Sequence, residues 1–151
     1  MNNSIEIAGL LKKVPLFARL SSGHLRAVAN SCTERQFAAG DTIVQQGNPG
    51  IGLFIILAGS IKVESTTEDG SVYEVGTHGV GEAIGEIAVL DGAASKTSIT
   101  AIEETKTLIL PSWAFNAFLQ THPEVALEIL PVVVQRYRDA ASSLLQIDME
   151  G

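Results

Sequence analysis

A single cysteine, three histidines and ten basic residues are spread over 151 positions, and each scarcity excludes something. Cys32 alone cannot form an intramolecular disulfide, a cysteine-rich zinc site or a cysteine-ligated iron–sulfur cluster. His24, His78 and His122 are scattered, with no H-x-H or H-x-x-x-H pair to offer metal-ligand spacing. His78, Glu82 and Glu86 recur every four residues, but on a glycine-rich loop where that spacing implies no shared face. They read as solvated side chains, and no metal site is expected. No G-x-S-x-G elbow and no Walker-type G-K-S/T occurs, so no catalytic residue is visible and no enzyme is expected.

Positive charge is also short. Ten Lys+Arg against 17 Asp+Glu leave a formal charge of −7. Such a chain has no basic face with which to wrap nucleic acid or an anionic membrane, although a small local anion site stays compatible with it. The longest apolar run, Leu53–Ala58, falls far below the roughly 18 residues of a membrane-spanning helix. The start, MNNSIEIAGLLKKVPLF, has no basic segment leading into a long apolar run and a small-residue cleavage site. The expectation is a soluble, unexported, cytoplasmic protein. What is present is apolar: 46% hydrophobic and 18% charged, which favours a buried core over disorder.

Three zones follow one another. Residues 1–33 read as short helices: Ile5–Lys13 carries an apolar face, Pro15 breaks it, and Ser21-Ser22-Gly23 caps a second helix over His24–Cys32. Residues 34–110 read as strands at Arg35–Phe37, Thr42–Gln45, Leu53–Leu57, Ser60–Glu64, Val72–Val75, Ser98–Ile102 and Lys106–Leu110, separated by turn signals. Short strands at this spacing predict an antiparallel sandwich or barrel. Asp69-Gly70 suits a type I′ hairpin turn. Residues 111–147 return to helix, with Pro111 in a first turn and Trp113, Phe115 and Phe118 supplying apolar bulk. After His122-Pro123 a long helix runs over Glu124–Ile147, with Pro131 inside it predicting a kink. Leu127, Leu130, Val134, Tyr137, Ala141 and Leu144 step along it by 3 and 4, the period of a helix facing a partner helix. A homodimer through 124–147 is expected. No repeat or linker divides the chain, so 1–151 reads as a single domain.

The informative stretch is GTHGVGEAIGEIAVLDGAASKTSITA, Gly76–Ala101. Its glycines permit close backbone approach, and Gly85-Glu86 leads into the apolar turn Ile87–Leu90. Successive N–H groups at such a turn suit an anion, and a glutamate beside them suits a sugar hydroxyl; the same residues also read as a glycine-bearing barrel corner with a solvent-facing glutamate.

These residues, with LKKVPLF (Leu11–Phe17), GDTIVQQG (Gly40–Gly47) and GLFIILAGSIKV (Gly52–Val63), resemble the cyclic nucleotide-binding domain, the sensor module of catabolite activators, kinase regulatory subunits and nucleotide-gated channels. The resemblance covers roughly residues 8–145 and implies a mainly β fold with flanking helices. In that fold an eight-stranded antiparallel β-roll follows an N-terminal helical bundle and precedes two C-terminal helices. It also implies a phosphate-binding cassette of the form G-E-L/I-A-L-L-x-G-x-P-R-S/T-A-T-V-x-A. There backbone N–H groups and an arginine hold the cyclic phosphate, and the glutamate takes the ribose 2′-hydroxyl. Carried over without a gap, the ligand-binding residues are Gly85, Glu86, Ile87, Ala88, Ser95, Lys96 and Thr97.

The departure falls on Ala94 and Ser95, which stand where the family has proline and arginine. A guanidinium forks two charge-assisted bonds onto a phosphate, and a serine gives one neutral bond. Lys96 reaches the site only if the loop bulges by one residue. Two functions stay open: a non-catalytic regulatory sensor binding cAMP or cGMP without any cofactor, and a degenerate β-roll that binds no nucleotide and serves protein interaction and dimerisation. Neither DNA binding by this chain alone nor a membrane partner is expected.

Overall fold

The computed structural model describes residues 3–150, with side chains through 145. Helix α1 (Ser4–Lys12) starts where the Asn3 carboxamide accepts the Glu6 N–H at 2.9 Å. A 3-10 turn at Pro15–Phe17 follows, and α2 (Ser22–Ala29) begins at Ser21, whose Oγ accepts the His24 N–H at 3.1 Å. Such caps satisfy N–H groups that a helix cannot bond internally.

Eight strands come next: β1 (Thr33–Phe37), β2 (Thr42–Val44), β3 (Gly52–Ala58), β4 (Ile61–Thr66), β5 (Val72–His78), β6 (Ala83–Ile84), β7 (Ser98–Ala101) and β8 (Thr105–Pro111). They form two four-stranded antiparallel sheets, ordered β1-β8-β3-β6 and β2-β7-β4-β5. This is the expected β-roll. The short helix α3 (Ala88–Asp91) lies between β6 and β7. After β8 come α4 (Ser112–Thr121) and α5 (Pro123–Glu150). Among the described residues no helix is long and apolar enough to cross a membrane.

Strand β3 shows why an unbroken apolar run belongs in this fold. Phe54 and Ile56 face the interior of the roll with Ile61, Val63, Ile99 and Ile109. Their neighbours Leu53 and Ile55 face the opposite way, into a second core with Leu11, Phe17, Leu25, Phe115 and Val125 from the helices. Side chains alternate along a strand, so only a strand covered on both faces is apolar at every position. Each fully buried Leu, Ile or Phe contributes about 1.5–3 kcal/mol. Phe17 and Phe115 meet at a ring-centroid separation of 5.3 Å, joining the N-terminal and C-terminal helices over the sheet.

Several expectations change. Strand β6 is absent from the sequence reading; it has two residues and exists through its pairing with Phe54 and Ile55. Asp69-Gly70 makes no type I′ turn, because only Gly70 takes a positive φ (88°). The strands pair up to Thr66 and Val72, and the loop between them is closed by the Asp69 carboxylate, which accepts from the Thr67 hydroxyl and the Ser71 N–H. Pro111 lies outside its helix, ending β8 in an extended conformation as the N-cap of α4. Trp113 supplies no core: it is 75% exposed, while Phe115 and Phe118 are buried. Helix α5 continues through Pro131. It buries Val125 and Ile129 and exposes Leu127, Leu130, Val134, Tyr137 and Leu144, with Ala141 half-buried. The side chains of the expected pairing segment beyond 145, up to Ile147, lie outside the described residues.

Candidate functional site

A cavity of about 390 Å³ opens at the mouth of the roll. Val44, Ile51, Phe54, Ile84 and Ile99 make its apolar wall. Gly85, Ile87 and Ala88 border it on one side, and Ala93, Ala94, Ser95, Lys96 and Thr97 on the other. Six of the seven expected ligand residues thus share one cavity; Glu86 is not on its wall.

Gly85 is required by its own backbone. It has φ of 83°, and a Cβ built there would stand 2.1 Å from the Gly52 carbonyl oxygen of β3. A side chain would meet both the left-handed φ and fixed backbone. This contact lays the cassette against the sheet. Val89 then donates its N–H to the Gly85 carbonyl at 3.0 Å and buries its side chain completely among the helices.

Glu86 faces away from the cavity into the helices. Its Oε1 accepts the Leu16 N–H at 2.7 Å, and its Oε2 accepts from Arg136 of α5 at 2.5 Å. The glutamate side chain is 13% exposed and the arginine 43%. One carboxylate therefore joins the 3-10 turn, the cassette and α5.

The far side of the cavity is held differently. The Ser95 hydroxyl donates to the Thr97 carbonyl at 2.7 Å and accepts the Thr97 N–H at 3.2 Å, closing a local turn. Ser95 also donates its N–H to the Asn48 carbonyl and accepts from the Gly47 N–H, both at 2.8 Å, which pins the segment to the loop after β2. Lys96 is exposed beside the cavity and has no ion-pair partner among the described residues. Asp91 is the carboxylate on the wall, and its Oδ1 accepts the Ala93 N–H at 3.0 Å.

A family model described as the cyclic nucleotide-binding domain matches residues 34–122, more than half of the chain. The chain belongs to the cyclic nucleotide-binding domain family. Among solved members, the N-terminal domain of a transcriptional regulator from Streptomyces coelicolor A3(2) is 32% identical, with a TM-score of 0.77 over 87% of this chain and 94% of that one. The regulatory subunit of a cAMP-independent protein kinase A from Trypanosoma brucei is 25% identical, with a TM-score of 0.66 over 93% of this chain and 53% of that one. The lysophospholipase nte1 of Aspergillus oryzae is 30% identical over 104 residues, which are 69% of this chain and 7% of that protein. The chain thus spans a small part of the length of the curated relatives it matches.

Within this cyclic nucleotide-binding domain the remaining polar groups sit away from the cavity. His78 and Glu82 meet, Nδ1 to Oε2, while both stay open to solvent. The hydrogen bond from His78, followed by one from the Gly79 backbone, holds the Glu82 carboxyl below the usual carboxylate range. His24 and His122 come together with ring centroids 5.7 Å apart, and His24 Nε2 lies 3.3 Å from Glu124. No group of three or more potential metal ligands forms among the described residues. Burial pushes the Cys32 thiol up to about 12, so it stays protonated and unreactive. Volume alone does not mark the cassette: a larger groove of about 690 Å³ runs between α1 and the end of β3. It lacks the cassette's converging backbone.

Sequence reasoning missed three participants: the Leu16 N–H, Arg136 and Asp91. A backbone donor leaves no trace in residue identity, and Arg136 lies beside the apolar seam, where a charge reads as solvated. Asp91 carried a usable signal, because the aspartate precedes Gly92, whose left-handed φ of 60° ends α3 at the cavity edge.

Proposed function

We propose that this domain is a non-catalytic regulatory sensor whose β-roll cavity binds a cyclic nucleotide, cAMP or cGMP, weakly. Lys96 and the backbone at Ile87 and Ala88 hold the phosphate in place of the missing guanidinium. The observation that carries the reading is the shared cavity: Gly85, Ile87, Ala88, Ser95, Lys96 and Thr97 converge on it, with an unpaired lysine at the edge. Charge-assisted bonds contribute about 1.5–3 kcal/mol each, so the absent arginine lowers affinity by roughly ten- to several-hundred-fold. Calorimetry on three chains tests this. Ser95→Arg tightens cAMP binding by about tenfold or more, and Lys96→Ala weakens that of the parent. A folded Ser95→Arg chain that binds neither nucleotide at millimolar concentration overturns the reading.

A second reading, a ligand-free interaction module, is favoured by the Ser95 hydroxyl and the Glu86 carboxylate both being satisfied inside the protein. The Trypanosoma brucei relative is described as part of a cAMP-independent kinase, so the shared fold does not by itself imply a response to cAMP.

In either reading a second copy pairs through α5. Five large apolar side chains stand exposed on it between Leu127 and Leu144, and water is a poor neighbour for such a row. Sedimentation at micromolar concentration returns a dimer for the parent and a folded monomer after Val134→Glu with Tyr137→Glu. A monomeric parent refutes the pairing.

A further inference from the structure

We propose that the groove between α1 and α2 docks an acidic amphipathic helix of a partner protein. The proposal is independent of what the β-roll cavity binds. Residues 1–33 hold four basic residues, Lys12, Lys13, Arg19 and Arg26, against one acid, Glu6, whereas the rest of the chain holds six against sixteen. An acidic chain thus carries a basic face on its N-terminal helices. All four cations are exposed, and none makes an ion pair among the described residues. Charges that the fold itself leaves unpaired are open to the carboxylates of a partner.

Two of the four border a groove of about 310 Å³. Ile5, Ala8 and Gly9 of α1 and Leu25 of α2 line it, and each helix adds one cation, Lys12 and Arg26. Ile5, Ala8, Gly9 and Lys12 follow at spacings of three, four and seven, so they share one face of α1. Leu25 is buried there, but Ile5 stands 68% exposed. The carbonyl ends of α1 and α2 favour a cation in their last turns, which holds Lys12 and Arg26 at the groove. Glu6 lines the neighbouring groove beside β3 instead. Gly9 adds an independent sign. Its φ is not left-handed, and a Cβ built on it meets nothing within 4 Å. Nothing inside the chain requires glycine at this position, and glycine weakens a helix interior. What it provides is a groove floor at backbone depth, where a second chain can come close. The occupant that fits has apolar side chains at helical spacing for Ile5, Gly9 and Leu25, with carboxylates beside them for Lys12 and Arg26. A peptide engages the groove alone, whereas an anionic bilayer repels a chain of net charge −7.

The test titrates a blocked leucine–glutamate peptide of about four helical turns, with leucines three and four apart, against the parent chain. Its leucine–lysine counterpart and phosphatidylserine vesicles are the comparison arms. The leucine–glutamate peptide is expected to bind and to shift the amide resonances of Gly9, Ser22 and Arg26. Lys12→Gln with Arg26→Gln weakens that binding by about tenfold or more. Gly9→Leu fills the groove and abolishes it while the Tm holds or rises, because leucine is the better helix former and meets open space. No binding at millimolar peptide overturns the proposal, as does equal binding of the leucine–lysine peptide or a set of shifts confined to α5. Binding to the vesicles without binding to the peptide overturns it in favour of a membrane surface.

Discussion

The two borders of the cavity are built on opposite principles. The Gly85–Val89 side is driven into the molecule: Gly85 against the β3 backbone, Glu86 between Leu16 and Arg136, Val89 into the helical core. The Ala93–Thr97 side lies near the surface and is held by short-range bonds to itself and to the Asn48 loop. The buried side keeps the family pattern with Val89 in place of one leucine, and the surface side has lost the proline and the arginine. The difference teaches that a matched motif need not testify to a ligand. Gly85, Glu86 and Val89 are demanded by packing whether or not anything binds. The surface side holds only its own turn and the Asn48 loop and sends no side chain into the helical core, so its residues are freer to report on a ligand.

Gly85→Ala breaks the buried side and carries the largest expected effect. A methyl group 2.1 Å from the Gly52 carbonyl, at a φ of 83°, must move either the cassette or β3. The expected loss is about 3 kcal/mol or more, seen as a fall in Tm of roughly 6–12 °C. An unchanged Tm would mean that the contact with β3 is not required. Ser95→Arg on the surface side sharpens the contrast, since the large gain expected in cAMP affinity should come with a change in stability within about 0.5 kcal/mol. Equal destabilisation by both variants would erase the distinction.

The smallest effect belongs to the β4–β5 loop, a surface segment held, like Ser95–Thr97, by its own side chain. The hydrogen bond from the Thr67 hydroxyl, then the Ser71 backbone N–H, hold the Asp69 carboxyl down to about 2, against an ordinary value of 3.8. A depressed carboxyl stabilises the folded loop above the unfolded value, and the contribution disappears as pH falls through the folded one. The Ser71 amide resonance should therefore stay constant from pH 7 to pH 4 and titrate near pH 2. A midpoint at 3.8 or above would show the loop open in solution.

Legibility in the sequence follows the range of the forces involved. Strand β3 is readable because a strand covered on both faces must be apolar throughout, and Leu53-Phe54-Ile55-Ile56 is. The amphipathic first helices and the exposed row on α5 are readable for the same reason, hydrophobic period. Strand β6 was invisible, since two residues have no period and Ala83-Ile84 is a strand only where β3 pairs with it. The hairpin was placed correctly but given the wrong geometry, because the Asp69 side chain closes the loop in place of a second positive φ. Within the cavity, six residues were reached through the family resemblance, carried over without a gap. The fate of Glu86 was hidden because its partners lie 70 residues upstream and 50 residues downstream.

Strand β3 is also a partition one residue thick. Phe54 stands on the cavity wall while Leu53, its neighbour in sequence, is wedged among the helices, and Ile55 and Ile56 repeat the arrangement. A rigid main chain joins the two sides of this partition, so a load placed on one side cannot be absorbed there alone. Whatever presses Phe54 outward displaces Leu53 by a comparable distance against a close-packed helical layer with little room to yield. The cavity and the helices therefore share one mechanical boundary, and neither can be reshaped, by a ligand or by mutation, without the other registering it.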